Sequence, residues 1–173
     1  DEALSVFGGT GFVGSRFCQT TQRSVALIPR EDRKPISSES VYFISTTHNY
    51  HVFEDVHKDV ATNITILLDV LKNLKKGDVI NFITSYCHPK GFYSITKAAA
   101  EQLLISYCKT FGLHYRILRL CNVYGKGDSG ASKKKNALQF IIEQLKNHEP
   151  VDLYHDGQFY RDYMSVEDVA RAI

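Results

Sequence analysis

Tyr93 and Lys97 stand four residues apart in Tyr93-Ser94-Ile95-Thr96-Lys97. On a helix that spacing puts both side chains on one face. A free phenol has a pKa of about 10 and is a poor base at neutral pH. A neighbouring ammonium stabilises the phenolate and lowers that value. Such a pair can take a proton from an alcohol oxygen, or return it. The spacing alone is weak, because a tyrosine at a helix start and a surface lysine also produce it. Thr84-Ser85 ends the apolar run just upstream. A hydroxyl at the carboxyl end of a strand points into the crevice where parallel sheets bind ligands, so Ser85 can meet the same substrate oxygen.

A second stretch gives the pair its context. Val6-Phe7-Gly8-Gly9-Thr10-Gly11-Phe12-Val13-Gly14 ends a short apolar run and opens a helical pattern through Phe17 and Cys18. Strand, tight turn and helix are the elements it predicts. Gly8 permits the sharp turn off the strand. Gly11 lets the backbone approach a pyrophosphate, and Gly14 lets the helix pack on the sheet. The helix then aims its free N–H groups and positive dipole end at the phosphates. A glycine triplet in this setting predicts a dinucleotide site. With that site upstream, the Tyr93–Lys97 pair suits proton transfer at a sugar or alcohol oxygen while a nicotinamide takes or gives hydride.

The elements that position these residues alternate along the chain. Strands are expected at 4–7, 25–28, 41–44, 79–83 and 115–120, with a short one at 151–154. The run Val25-Ala26-Leu27-Ile28 reads as a strand buried on both faces. Helices are expected at 15–22, 56–74, 94–111, 137–146 and 166–173. Val60, Ile64, Leu67, Leu68 and Leu71 form the apolar stripe of the second helix. Ala98, Leu103, Leu104, Tyr107 and Cys108 form that of the third. Asn122 to Gly125 closes the fifth strand. This order predicts an α/β fold, a doubly wound parallel sheet with crossover helices.

Composition narrows the partners. Of the 173 residues 43% are hydrophobic and 23% charged, ordinary for one globular domain. A net charge of +2 gives no reason to invoke nucleic acid or an acidic membrane surface. Lys133-Lys134-Lys135 reads as a solvated loop. Cys18, Cys87, Cys108 and Cys121 show no paired or metal-ligand spacing, so no metal site is expected. The chain enters its first strand directly after Asp1-Glu2-Ala3, without a leader pattern or a membrane-length apolar run. A reduced, cytoplasmic setting is the expectation.

Five motifs occur in order: the glycine stretch; Thr84-Ser85; Tyr93 to Gln102; Arg119-Leu120-Cys121-Asn122-Val123-Tyr124-Gly125; and Arg161-Asp162-Tyr163-Met164-Ser165-Val166-Glu167-Asp168. Together they resemble the extended short-chain dehydrogenase/reductases of the NAD-dependent epimerase/dehydratase group, which act on nucleotide-sugars. The resemblance implies a Rossmann fold with Tyr93 as acid/base. Lys97 holds the nicotinamide ribose, and Ser85, with Thr84 as fallback, positions the reacting hydroxyl. It gives Gly8, Thr10, Gly11, Phe12, Val13 and Gly14 to the cofactor, together with Ser45, Thr46, Thr47, Asn63 and Cys121. Asn122, Asn136 and Arg161 face the nucleotide-sugar, and a guanidinium fork suits a diphosphate. Pairing of the 56–74 and 94–111 helices across a two-fold axis makes a homodimer the expectation.

Three departures refine this. The family ends its second strand in an acid that binds the adenosine ribose, but here Ile28 leads to Pro29 and Arg30. An arginine suits a 2′-phosphate, so of NAD and NADP the lean is to NADP. The dehydratase branch carries Asp-Glu straight after the Thr84 position, where this chain has Ser85-Tyr86. That favours an epimerase, with a 4-keto reductase or dehydratase as the alternative. A non-catalytic NADP-sensing regulator is the reading from another class, set against by the intact Tyr–Lys pair. Finally, seven residues separate Ser85 from Tyr93. The family has more chain there, and more after the last helix. Residues 1–173 are therefore expected to be the Rossmann domain, with loops and most of a C-terminal substrate domain absent and the start of the substrate-binding part around 126–165.

Overall fold

The computed structural model describes residues 2–85, 88, 90–128 and 137–173. Strand β1 (Leu4–Phe7) is buried along its whole length. Helix α1 (Phe12–Thr20) follows, then β2 (Val25–Leu27) and β3 (Glu39–Tyr42). A continuous helix over 58–71, here α2, comprises Lys58–Val60, a π-helical turn at Ala61–Thr65, and Ile66–Leu71. Then come β4 (Val79–Ser85), α3 (Phe92–Phe111), β5 (His114–Leu120), β6 (Asn122–Tyr124), α4 (Ala137–Lys146), β7 (Tyr163–Ser165) and α5 (Val166–Ala172).

All five strands of the main sheet are parallel, in the order β2-β1-β3-β4-β5. The chain leaves β1 in one direction to reach β2 and lies on the other side of β1 at β3. The crevice of such a sheet opens where that order reverses, at the carboxyl ends of β1 and β3. Strand alternation divides the core between two faces. Phe7, Tyr42, Ile80 and Phe82 pack under α2 and α3 against Leu67, Leu71 and Leu104. Leu4, Val6, Val41 and Ile83 pack on the other face against Phe17 of α1 and Ala170 of α5. Each such side chain, fully buried, contributes about 1.5–3 kcal/mol. On that second face an ion pair between Arg16 and Glu167 (3.4 Å) also ties α1 to α5.

Several expectations need correction. Residues 151–154 form no strand; a 3₁₀ turn occupies Tyr154–Gly157. β2 is the sheet's edge, so its burial is partial and Leu27 is 52% exposed. Asn122–Tyr124 does not merely close β5 but pairs as a strand with β7. Helix α1 begins at Phe12 and ends at Thr20, because the turn after Gly8 is tight enough to start it early. The stripes also differ. Val60 and Leu68 are exposed, whereas Asp59, Asn63, Leu67, Val70 and Leu71 face inward. The π turn places one extra residue in that turn and rotates what precedes it about the helix axis. On α3, Ala98 and Leu103 face outward, while Lys97, Ala100, Glu101, Leu104 and Cys108 are buried.

Candidate active site

Gly8 sits at the carboxyl end of β1 with φ +75°, the left-handed region that favours glycine. A Cβ there would stand 3.1 Å from the Ile44 backbone nitrogen, so the end of β1 runs hard against the segment after β3. A Cβ on Gly14 would lie 2.5 Å from the Gly8 carbonyl oxygen, so α1 packs directly on the turn. Gly11 is different. It N-caps α1, and a Cβ on it would meet only the Gly8 carbonyl oxygen, at 3.7 Å. No side chain caps the helix, and its first turn carries no acid. Backbone donors and open space at one helix start are what a pyrophosphate requires, so these residues fit a dinucleotide. Thr10 is exposed beside them, and Phe12 and Val13 are half-buried in the first turn.

Across the crevice, Ile44, Ser45, Asn63, Thr84, Lys97 and Ala100 line one small cavity with Phe82 and Ile83. The structure thus brings together four parts of the chain that the sequence separates: the carboxyl ends of β3 and β4, the π turn of α2 and the first turns of α3. Thr84 and Lys97 are 5% and 6% exposed. Ser85 and Tyr93 are half-buried at the ends of β4 and the start of α3. The Lys97 ammonium lies 5.4 Å from the centre of the Tyr93 ring, so Tyr93 and Lys97 share a face as their spacing requires. At the start of α3 the Ser94 hydroxyl accepts hydrogen bonds from the Lys90 (3.0 Å) and Gly91 (3.2 Å) amides. Those bonds fix the turn that carries Tyr93. Gly112 ends the same helix in the left-handed conformation, its N–H donating to the Cys108 carbonyl.

Asn63 occupies the π turn and is 4% exposed. Its Oδ1 accepts from the Thr46 amide (2.8 Å), and its Nδ2 donates to Thr46 Oγ1 (2.8 Å) and Thr96 Oγ1 (3.0 Å). Both of its N–H donors are therefore committed within the protein. Thr46 is buried between Ser45, half-buried, and Thr47, exposed.

β6 and β7 form a parallel ribbon next to the crevice. Asn122 pairs with Tyr163, and its amide donates to the Asp162 carbonyl (3.2 Å), which puts Arg161 close to Asn122 in the chain's path. The Arg161 guanidinium lies 4.9 Å from the centre of the Phe159 ring and is exposed, as is Asn122. The loop after β6 reaches over the glycine turn, where a Cβ on Gly127 would be 3.7 Å from Phe12. Cys121 is exposed just past β5. Arg30 is exposed beyond β2, its carbonyl accepting from Arg33 (2.5 Å). Asn136 lies outside the described residues.

Sequence reasoning missed two contributors. Thr96, an intervening residue of the Tyr–Lys motif, is buried and links Asn63 to the helix; nothing periodic marks it. Glu101, one turn beyond Lys97, is held by a bidentate pair with Arg119 of β5, with Nε at 3.0 and 3.1 Å from its two oxygens. An acid four residues after Lys97 and an arginine in a strand were visible signals for that bridge. Burial pushes the Cys108 thiol up to about 11, as befits a core residue. Among the described residues no group of acids, histidines and cysteines could hold a metal.

A parallel sheet with this strand order, and a glycine turn at its reversal, defines a Rossmann-type fold. The family model for the NAD dependent epimerase/dehydratase family matches residues 36–173, and the chain belongs to that family. The dTDP-L-rhamnose 4-epimerase of Burkholderia thailandensis is 34% identical over 85 residues, covering 49% of this chain and 23% of the relative. An uncharacterised 37.6 kDa protein of Escherichia coli O111:H- is 30% identical over 139 residues, covering 69% of this chain and 40% of the relative. The chain therefore spans well under half the length of these curated relatives. Among solved structures, UDP-glucose 4-epimerase of Thermotoga maritima superposes with a TM-score of 0.82 at 21% identity. The superposition covers 99% of this chain and 72% of that one. RMD of Pseudomonas aeruginosa, solved with NADPH, superposes with a TM-score of 0.76 at 20% identity, covering 99% and 72%. At these identities the likeness is one of fold. Among the described residues no helix is long and apolar enough to cross a membrane.

Proposed function

We propose that the protein containing this chain is an NAD(P)-dependent nucleotide-sugar epimerase. The reading rests above all on one observation: Ser45, Thr84 and Lys97 converge on one cavity beside Tyr93, across from the glycine turn. Family membership and relatives named as epimerases and dehydratases support it. Gly8, Thr10, Gly11, Phe12, Val13 and Gly14 hold the pyrophosphate, with Ser45, Thr46, Thr47 and Cys121 along the rest of the cofactor. When bound, a nicotinamide accepts a hydride from a sugar carbon and returns it. The Tyr93 oxygen takes the hydroxyl proton of that carbon and later restores it. Lys97 favours the phenolate by its charge and holds the ribose. Ser85, or Thr84, donates to the reacting oxygen and fixes its direction. Asn122, Asn136 and Arg161 bind the nucleotide-sugar, the arginine as a fork on the diphosphate. Residues 1–173 are the cofactor domain in this reading, and 126–165 begin the substrate-binding part. Arg30 leans the cofactor choice to NADP.

Two assignments concern the whole protein. Val60, Leu68, Phe92, Ile95 and Leu103 expose apolar surface on α2 and α3, from 36% to 50% of each residue. Covering those faces by the same helices of a second copy gives a homodimer. Cys18, Cys108 and Cys121 are free thiols, which suits the cytoplasm.

Replacing Tyr93 with Phe tests the reading. The ring is kept and the proton carrier lost. Turnover of UDP- and dTDP-sugars is expected to vanish while calorimetric binding of NAD+ and NADP+ stays within a few-fold of wild type. Turnover within a few-fold of wild type removes Tyr93 from the chemistry.

A further inference from the structure

Asn63, expected along the cofactor, lines the crevice cavity, and its amide is also bonded within the protein. One N–H goes to the Thr46 hydroxyl and the other to the Thr96 hydroxyl, while its oxygen receives the Thr46 amide. The Thr96 hydroxyl in turn donates to the Tyr93 carbonyl (2.9 Å). An unbroken chain of hydrogen bonds thus runs from the segment after β3, through the π turn of α2, to the turn of α3 that bears Tyr93 and Lys97. Asn63, Thr46 and Thr96 are each under 7% exposed, so water does not compete for these bonds. Bonds of this kind in a low-dielectric site are costly to leave half-made. The π turn itself is a departure from regular helix, and it is the turn that carries Asn63.

We propose that Asn63 is a positioning residue. It locks the Thr46 segment to the Tyr93 turn, so that cofactor binding on one side and the acid/base helix on the other are set by a single amide. This rests on the cofactor reading of Ser45 to Thr47. Thr96 provides the discriminating position. Its hydroxyl is turned to Asn63 and the Tyr93 carbonyl, and it is assigned no cofactor contact. If the amide is a clamp, a change at Thr96 must nevertheless weaken the cofactor.

The experiment is calorimetric titration of NAD+ and NADP+ into the full protein and four variants: Asn63→Ala, Thr96→Val, Thr96→Ser and the Asn63→Ala/Thr96→Val double. Asn63→Ala removes three buried hydrogen bonds and Thr96→Val removes two, and each is expected to weaken the better-bound cofactor about tenfold or more. The double variant is expected to be no weaker than Asn63→Ala alone. Thr96→Ser keeps the hydroxyl and should stay within twofold of wild type. Unchanged binding in Thr96→Val, an additive loss in the double variant, or a Thr96→Ser as weak as Thr96→Val each overturns the clamp. Should Asn63→Ala not fold, the Val and Ser variants at Thr96 still decide. Wild type that binds neither cofactor overturns the cofactor reading and the clamp with it; wild type that binds while Thr96→Val is unaffected overturns the clamp alone.

Discussion

The two ends of the parallel sheet hold their polar residues in opposite ways. At the amino end, Glu39 opens β3 and accepts hydrogen bonds from Asn81 of β4 (3.0 Å), Arg116 of β5 (3.2 Å) and Arg23 (2.9 Å). The arginines are half or more exposed, and the charges answer one another. Burial pushes the Glu39 carboxyl up, but the Asn81 and Arg23 hydrogen bonds and the two arginine charges outweigh it and hold it below its ordinary value. At the carboxyl end, Thr46, Asn63, Thr84, Thr96 and Lys97 are all nearly sealed from solvent. There Asn63, Thr46 and Thr96 bond through neutral amides and hydroxyls. An exposed ionic cluster tolerates replacement because water can stand in for a lost partner. A buried neutral network does not, and its geometry is fixed. The contrast sets an ionic, solvent-reached end, suited to stability, against a sealed end where the proposed chemistry lies.

Four substitutions would break or sharpen that contrast. Lys97→Met keeps the buried stem and removes the charge beside Tyr93. Turnover should drop by roughly 10²–10⁴, the range for losing acid–base assistance, with little change in thermal midpoint. A drop in midpoint that accounts for the lost activity would make Lys97 a structural residue. Gly14→Ala puts a methyl 2.5 Å from the Gly8 oxygen, so the turn must open. Overpacking costs about 1–3 kcal/mol, which should weaken both NAD+ and NADP+ roughly ten- to a hundredfold in calorimetry. Binding at the wild-type level would show that α1 does not carry the pyrophosphate. Arg30→Ala should weaken NADP+ about tenfold and leave NAD+ alone, since a charge-assisted contact is worth about 1.5–3 kcal/mol. Equal effects on the two cofactors would reduce Arg30 to a surface residue.

The smallest effect belongs to the other end. Glu39→Gln should lower stability by about 1 kcal/mol at neutral pH, or roughly 2–4 °C in thermal midpoint, and leave turnover unchanged. The folded carboxyl titrates lower than the unfolded one. Its contribution is therefore present above the ordinary carboxylate range and is lost as pH falls through the folded value. Urea unfolding at neutral and acidic pH checks this: the gap between variant and wild type should close in acid. A gap that widens in acid would mean the arginines do not hold the charge.

Much of the scaffold was legible because it is written in periodicity. β1, β4, β5 and α3 fall within a residue or two of the apolar runs that announce them. The glycine turn and the Tyr93–Lys97 pair were legible for another reason: each is a local device whose spacing is its geometry. What escaped is non-local. Nothing in Asn122-Val123-Tyr124 announces a partner forty residues on, yet it pairs with Tyr163–Ser165. The π turn at Ala61–Thr65 exposes Val60 and buries Asp59 and Asn63, against the apolar pattern. Asn63 and Thr96 are polar residues whose roles depend on what lies across a helix interface, and no sequence period carries that. Leu27 reads as core by type and lies at the sheet's edge by topology.

The central claim is that the crevice beside Tyr93 moves electrons and does not merely hold ligands. The most direct measurement is rapid mixing of the full protein, loaded with NAD+ or NADP+, with a panel of UDP- and dTDP-sugars, following the near-ultraviolet absorbance of reduced nicotinamide. The account predicts a transient rise with at least one sugar, decaying as the epimer forms, and no rise in Tyr93→Phe. Tight cofactor binding with no reduction by any sugar, and every sugar recovered unchanged, would contradict it.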